Sequence, residues 1–120
     1  MKYIDGFLAA VPRDNKQKFI EHSKVCAAVL MNCGALSVVD CWEDDVPVGE
    51  LTSMPLAVKK KDDEVIVFSW ITWPSKSVRN EGMKKFMEDP AMSADNNPMP
   101  YDGKRLIYGG FEVINSSSNL

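Results

Sequence analysis

The sequence is poor in the residues that metal and thiol chemistry require. It holds one histidine, His22, and three cysteines, Cys26, Cys33 and Cys41, with no Cys-x-x-Cys pair. A structural zinc site needs more ligands than that, so no metal is expected. An odd cysteine count beside 7 methionines fits a reducing compartment rather than a disulfide framework. There is no glycine-rich phosphate cradle, no Cys–His motif, and no triad signature around Ser53, Ser69 or Ser75. Nucleotide-dependent and hydrolytic chemistry are disfavoured, and no cofactor is expected. No apolar run approaches the length of a membrane span, and Lys2 is followed by a mixed segment unlike a secretory leader. The expectation is a cytoplasmic protein with no membrane partner.

Positive charge is not in excess: 14 Lys and Arg stand against 17 Asp and Glu. The net charge is -3 and the pI about 5.1, which gives no pull toward nucleic acid. The run Lys59-Lys60-Lys61 is cancelled at once by Asp62-Asp63-Glu64 and reads as a solvated turn.

What is present is the material of one folded domain. At 120 residues, 45% of them hydrophobic, the chain can bury a real core. Residues 2–11 read as a strand with apolar side chains on both faces, ended by Pro12. Asp14 or Asn15 can cap a helix running through Phe19, Val25, Cys26, Leu30 and Met31, closed by Gly34. Cys26 and Cys33 then share a face as small core residues. A second strand spans 35–42, and 46–57 read as a long loop with two prolines. The β-branched, aromatic run 65–73 has the pattern of a central strand. Ser75 can cap a second helix, which Asp89-Pro90 closes. Residues 91–103 read as a polar loop and 105–114 as the last strand. The domain is expected to cover 1–114, with a disordered tail at 115–120.

The order β-α-β-β-α-β predicts an α+β fold of the ferredoxin-like type. Four antiparallel strands would carry two helices on one face, with the first and third strands central. Those two strands are apolar on both sides. Two helices cannot cover both faces, so a second copy is expected on the other one, giving a homodimer whose sheets face each other as a barrel.

The pieces Tyr3-Ile4-Asp5-Gly6-Phe7, Cys41-Trp42 with Asp44-Asp45-Val46-Pro47, and Val67-Phe68-Ser69-Trp70 occur in order. Pro74-Ser75-Lys76, Arg79, Asp89-Pro90, Met92 and Met99-Pro100 through Phe111 follow them. This set resembles the YbaA-like family of small bacterial proteins. The resemblance implies a dimeric α/β-barrel and no established activity. The segment Asp95-Asn96-Asn97-Pro98 departs from it, looking somewhat longer than the family's loop.

Several residues are candidates for chemistry. Asp5, in an apolar strand, is either a general base in a cavity or a structural acid paired with Lys104 or Arg105. Arg105 could grip a carboxylate or an enolate-like anion in a bidentate fork, with Lys104 beside it, or form a salt bridge where its strand begins. Lys76 and Arg79 share a face in the first turn of the second helix, where cations oppose the helix dipole. They answer either an anionic ligand or acids such as Asp44, Asp45 and Asp89. Trp70, with Trp42 and Trp73, is a wall for a planar ligand or a packing anchor. Tyr108 could donate into a cavity, Gly109-Gly110 permits a close backbone approach, and His22 is expected as a partly exposed surface residue.

Three readings follow. The first is a homodimer holding a small planar or anionic molecule in a barrel cavity. The second is a cofactor-independent oxygenase or isomerase with Asp5 as base. The third is a structural or regulatory dimer that meets a protein partner through Glu43-Asp44-Asp45.

Overall fold

A computed structural model describes residues 1–119. Strand β1 is Tyr3–Pro12, helix α1 Lys16–Asn32, strand β2 Ser37–Trp42, and helix α2 Met54–Ala57. Strand β3 is Glu64–Trp73, helix α3 Lys76–Glu88, and strand β4 Ile107–Glu112. The fold is α+β, with one open antiparallel sheet in the order β2-β3-β1-β4. The central places of β1 and β3 follow from their doubly apolar patterns, since only a strand flanked on both sides buries both faces.

Local signals set most boundaries. The Ser75 hydroxyl accepts from the Val78 amide at 3.2 Å and starts α3. Gly34 takes φ +109 after α1, where glycine is favoured. Asn15 stands at the start of α1 without capping it. Its side-chain amide donates instead to the Pro100 carbonyl at 2.8 Å and ties down the distant loop. The segment 46–57 is not wholly a loop. Ser53 accepts from the Leu56 amide and, with Pro55 behind it, starts α2. The last strand begins later than expected, at Ile107. Asp102 caps a tight turn over Gly103–Arg105, which keeps Arg105 out of the sheet. Residues 115–119 have no regular secondary structure, and Leu120 lies outside the described residues.

The two faces of the sheet differ. Tyr3, Ala9, Val11, Val67, Ile71 and Trp73 pack under α1 and α3 with Phe19 and Leu30. Gly82 lets α3 come down on Trp73: a Cβ there would lie 2.5 Å from the indole Cζ3 and 2.6 Å from the Cys33 carbonyl. On the opposite face, Leu8, Ala10 and Ile66 are sealed at one end by Val46 and Val58 from the long segment. The rest of that face is open. Phe68 is 44% exposed, Ile107 44% and Phe111 59%.

Candidate functional site

Asp5 sits on β1 opposite Ile71 on one side and Gly110 on the other, facing the helices, and is 3% exposed. The Trp73 indole N–H donates to its Oδ2 at 2.9 Å. Arg79 donates from Nη2 to Oδ1 at 2.8 Å and from Nε at 3.1 and 3.2 Å. The guanidinium also lies 5.2 Å from the centre of the Tyr3 ring. The partner of Asp5 is therefore Arg79, not Lys104 or Arg105, and Arg79 answers Asp5 rather than Asp44, Asp45 or Asp89. The hydrogen bonds to Asp5 raise the arginine's pKa further. A cation in the first turn of α3 opposes the helix dipole, but a buried carboxylate without it would cost more. Lys76, three residues earlier, is exposed.

Arg105 is occupied elsewhere. Its Nη1 and Nη2 donate to the two Glu64 oxygens at 2.7 and 2.6 Å, and its Nε donates to Asp102 at 3.0 Å. Nη1 also reaches the Lys59 carbonyl at 3.0 Å. These bonds hold the Glu64 and Asp102 carboxyls below their ordinary range. Lys104 is exposed on the same turn. The local salt bridge is thus the geometry Arg105 adopts. Glu64, buried at 3% exposure, is a structural acid concealed in the sequence by the charged run before it.

The remaining candidates are spread over both faces. Tyr108 is exposed on the helix side and stacks on Phe7, with ring centres 6.4 Å apart. Trp70 pairs with Gly6 and Val39 and faces the open side, beside Phe68 at 5.5 Å. Gly6 and Gly109 face each other across β1 and β4, and the Phe111 ring lies within van der Waals reach of both. Gly110 faces the other way, where any Cβ would collide with Tyr3. The register passes both glycines without a bulge.

A cleft of about 400 Å³ opens between α1 and the β2 edge. Phe19, Ile20, Ala27, Trp42 and Val67 form its apolar walls. Lys16 and Lys24 border it from the helix and Asp40 from the strand. The Lys16 ammonium stands 5.6 Å from the centre of the Trp42 indole. Asp40 accepts from the Ser69 hydroxyl. A flat apolar wall with cations at the rim suits a planar anion.

Residues 2–103 match the family model described as protein of unknown function, DUF1428. The chain belongs to the DUF1428 family. It is similar to the uncharacterized protein YbaA of Escherichia coli K12, 49% identical over 114 residues, covering 95% of this chain and 97% of that protein. The YbaA protein of Shigella flexneri matches to the same extent.

This DUF1428 chain holds one more cluster that local sequence patterns do not reveal. His22 Nδ1 lies 2.9 Å from Asn97 Oδ1, and Cys26 Sγ lies 3.5 Å from His22 Nε2. The Asn97 amide donates to Cys26 Sγ at 3.6 Å. A closed neutral ring satisfies all three: Cys26 S–H donates to Nε2, Nδ1–H donates to Oδ1, and the amide returns to sulfur. Burial pushes the Cys26 thiol up to about 11 and the neighbouring Tyr101 hydroxyl up to about 12. His22 is partly exposed, as expected of it, and the ring ties the 91–103 segment to α1. Among the described residues, no group of three or more His, Cys, Asp or Glu side chains is placed to hold a metal. No helix is long and apolar enough to cross a membrane.

Proposed function

We propose that this chain is a homodimeric binding protein for a small planar organic anion. The strand order and the two long helices on one face support reading the protomer as ferredoxin-like. The open apolar face supports a second copy closing it into a barrel. Three free cysteines support a reducing, cytoplasmic setting.

The cleft beside Trp42 carries the ligand reading. An aromatic ring lying on the indole would be shielded by Phe19 and Val67, while its carboxylate meets Lys16 and Lys24. Asp40 retains acceptor capacity beyond the Ser69 bond, so it favours a ligand that also carries a hydroxyl or amino donor. The ligand class is a hydroxylated or amino-substituted aromatic monocarboxylate. This places the ligand on the helix side of one protomer rather than between two sheets.

The catalytic alternative has less support. Asp5 would act as a base only with a lone pair open to substrate, and both its oxygens receive donors from Trp73 and Arg79. For the protein-partner alternative, Glu43 accepts from the Ile66 amide at 2.7 Å, which leaves Asp44 and Asp45 as the exposed acids.

Titrating 4-hydroxybenzoate into isotope-labelled protein tests the reading through the indole N–H signals. The Trp42 signal should shift and saturate by millimolar ligand, while Trp73, fully buried, stays in place. Lys24→Glu should abolish the shift. A Trp42 signal that does not respond defeats the assignment of the cleft.

A further inference from the structure

The cleft beside Trp42 is longer than one aromatic acid can fill. Its α1 wall runs from Lys16 to Ala27, about 16 Å along the helix axis. That is the reach of about five residues of extended chain. Its other wall is the β2 edge, at Asp40, Cys41 and Trp42. A free strand edge with a side-chain pocket beside it is the arrangement by which an extended peptide adds to a sheet.

The edge has the groups such a peptide needs. β2 is an outer strand and pairs only with β3. Glu43 donates its amide to the Ile66 carbonyl at 2.9 Å. Ladder bonds alternate along a strand, so Cys41 and Val39 also turn their backbone groups to β3. Those of Val38, Asp40 and Trp42 then point outward, and no turn, loop or side chain among the described residues bonds them. Asp40 and Cys41 are exposed. Native edges are blunted by lysine, proline or charge. β2 has neither lysine nor proline, and its one charge, Asp40, turns toward Ser69 on β3. The side chains of Asp40 and Trp42 stand in the cleft itself.

We infer that the β2 edge binds the C-terminal end of an extended peptide whose last residue is aromatic, lying parallel to β2. The inference rests on the reading of the cleft as a site for an aromatic carboxylate, and it puts that group at the end of a polypeptide. The register follows from the edge. In a parallel ladder one residue bonds the carbonyl before and the amide after the residue it faces. The penultimate peptide residue, opposite Cys41, donates to the Asp40 carbonyl and accepts from the Trp42 amide. Its two neighbours face the helices. The last lays its ring on Trp42 beside Phe19 and Val67, and its carboxylate meets Lys16, which stands 5.6 Å from that indole. The third from the end lies opposite Asp40, whose spare acceptor capacity favours a hydroxyl there. Charge selects the direction: the reverse course would set the terminal carboxylate against Asp40.

The test is a titration of the full chain with the N-acetylated peptide Ser-Thr-Glu-Thr-Val-Tyr, read at the Trp42 indole and backbone N–H signals. The peptide should shift both and bind about tenfold or more tightly than 4-hydroxybenzoate, because it adds ladder bonds to the ring contact. It should also slow hydrogen exchange at the Trp42 amide. Methylating the valine nitrogen, or amidating the terminal carboxylate, should each remove that gain. So should Lys16→Glu, an exposed position whose change circular dichroism shows to leave the fold intact. A response to the peptide but not to the benzoate supports the inference and rules out the free acid. A peptide that binds no more tightly than the benzoate, or equally well when N-methylated, overturns the inference and leaves the cleft reading standing. A Trp42 that answers neither probe overturns both. A Trp42 amide already protected in the free protein means that the edge is occupied, and overturns the inference as well.

Discussion

Trp73 donates its indole N–H to Asp5 at 2.9 Å, and with 0% exposure it is among the most deeply buried side chains of the protein. The pair joins the central strands at one end of the helix-covered face. It also fixes the carboxylate that Arg79 reaches from α3. Trp73→Phe keeps an aromatic ring but removes the donor. It should cost about 2–3 kcal/mol, read by denaturant unfolding. Arg79→Met strips Asp5 of its charge partner and should cost about 3 kcal/mol, since the arginine is partly exposed. Asp5→Asn combined with Arg79→Met should cost clearly less than the two single changes summed. Additive losses would mean the pair is not coupled.

Gly82 offers a sharper test of how α3 seats. Alanine is the better helix former by about 1 kcal/mol. At this position its methyl would press on Trp73 and on the Cys33 carbonyl, neither of which is a flexible side-chain end. Gly82→Ala should therefore destabilise by about 2 kcal/mol or more. An increase in melting temperature would show that α3 sits further from the sheet.

Much of this architecture is legible in the sequence, for physical reasons. The run 65–73 is β-branched and aromatic on both faces, and that pattern has few uses other than a central strand. Ser75 announces α3 because a hydroxyl there satisfies an otherwise unpaired amide. The pairing of Asp5 is not legible. Arg105 looked close because β4 neighbours β1, yet Asp5 pairs with Gly110, five residues further on. That displacement is roughly 16 Å along a strand. Arg79 arrives from a helix that crosses the sheet, and its approach depends on Gly82 and Trp73 packing. The ring of His22, Cys26 and Asn97 joins residues more than seventy positions apart. The cleft was equally hidden, since Lys16 and Lys24 read as solvated helix residues until the β2 edge is placed beside them.

Acid stability should depend on Glu64. Arg105 holds its folded carboxyl below the ordinary value of 4.5, so the unfolded chain takes up the proton first. The contribution is complete above about pH 4.5 and is lost as pH falls through the lower folded value. Glu64→Gln should be less stable at neutral pH and show a flatter decline from pH 5 downward. Parallel acid curves for the two proteins would mean the Arg105 fork is not formed.

The alkaline side should follow Cys26 and Tyr101, with the sign reversed. Burial raises their folded values to about 11 and about 12, from 9.0 and 10.0. The unfolded chain therefore loses these protons first. Stability is complete below about pH 9 and declines as pH rises toward 12. Cys26→Ala and Tyr101→Phe should each flatten that decline. An unchanged alkaline limb would place both groups in water.

The most direct test of the account is the mass of the wild-type protein in solution at micromolar concentration, by light scattering. The account predicts twice the 13.4 kDa of one chain, because Phe68, Ile107 and Phe111 need a covering surface that the protomer does not supply. A stable particle of 13.4 kDa would contradict it.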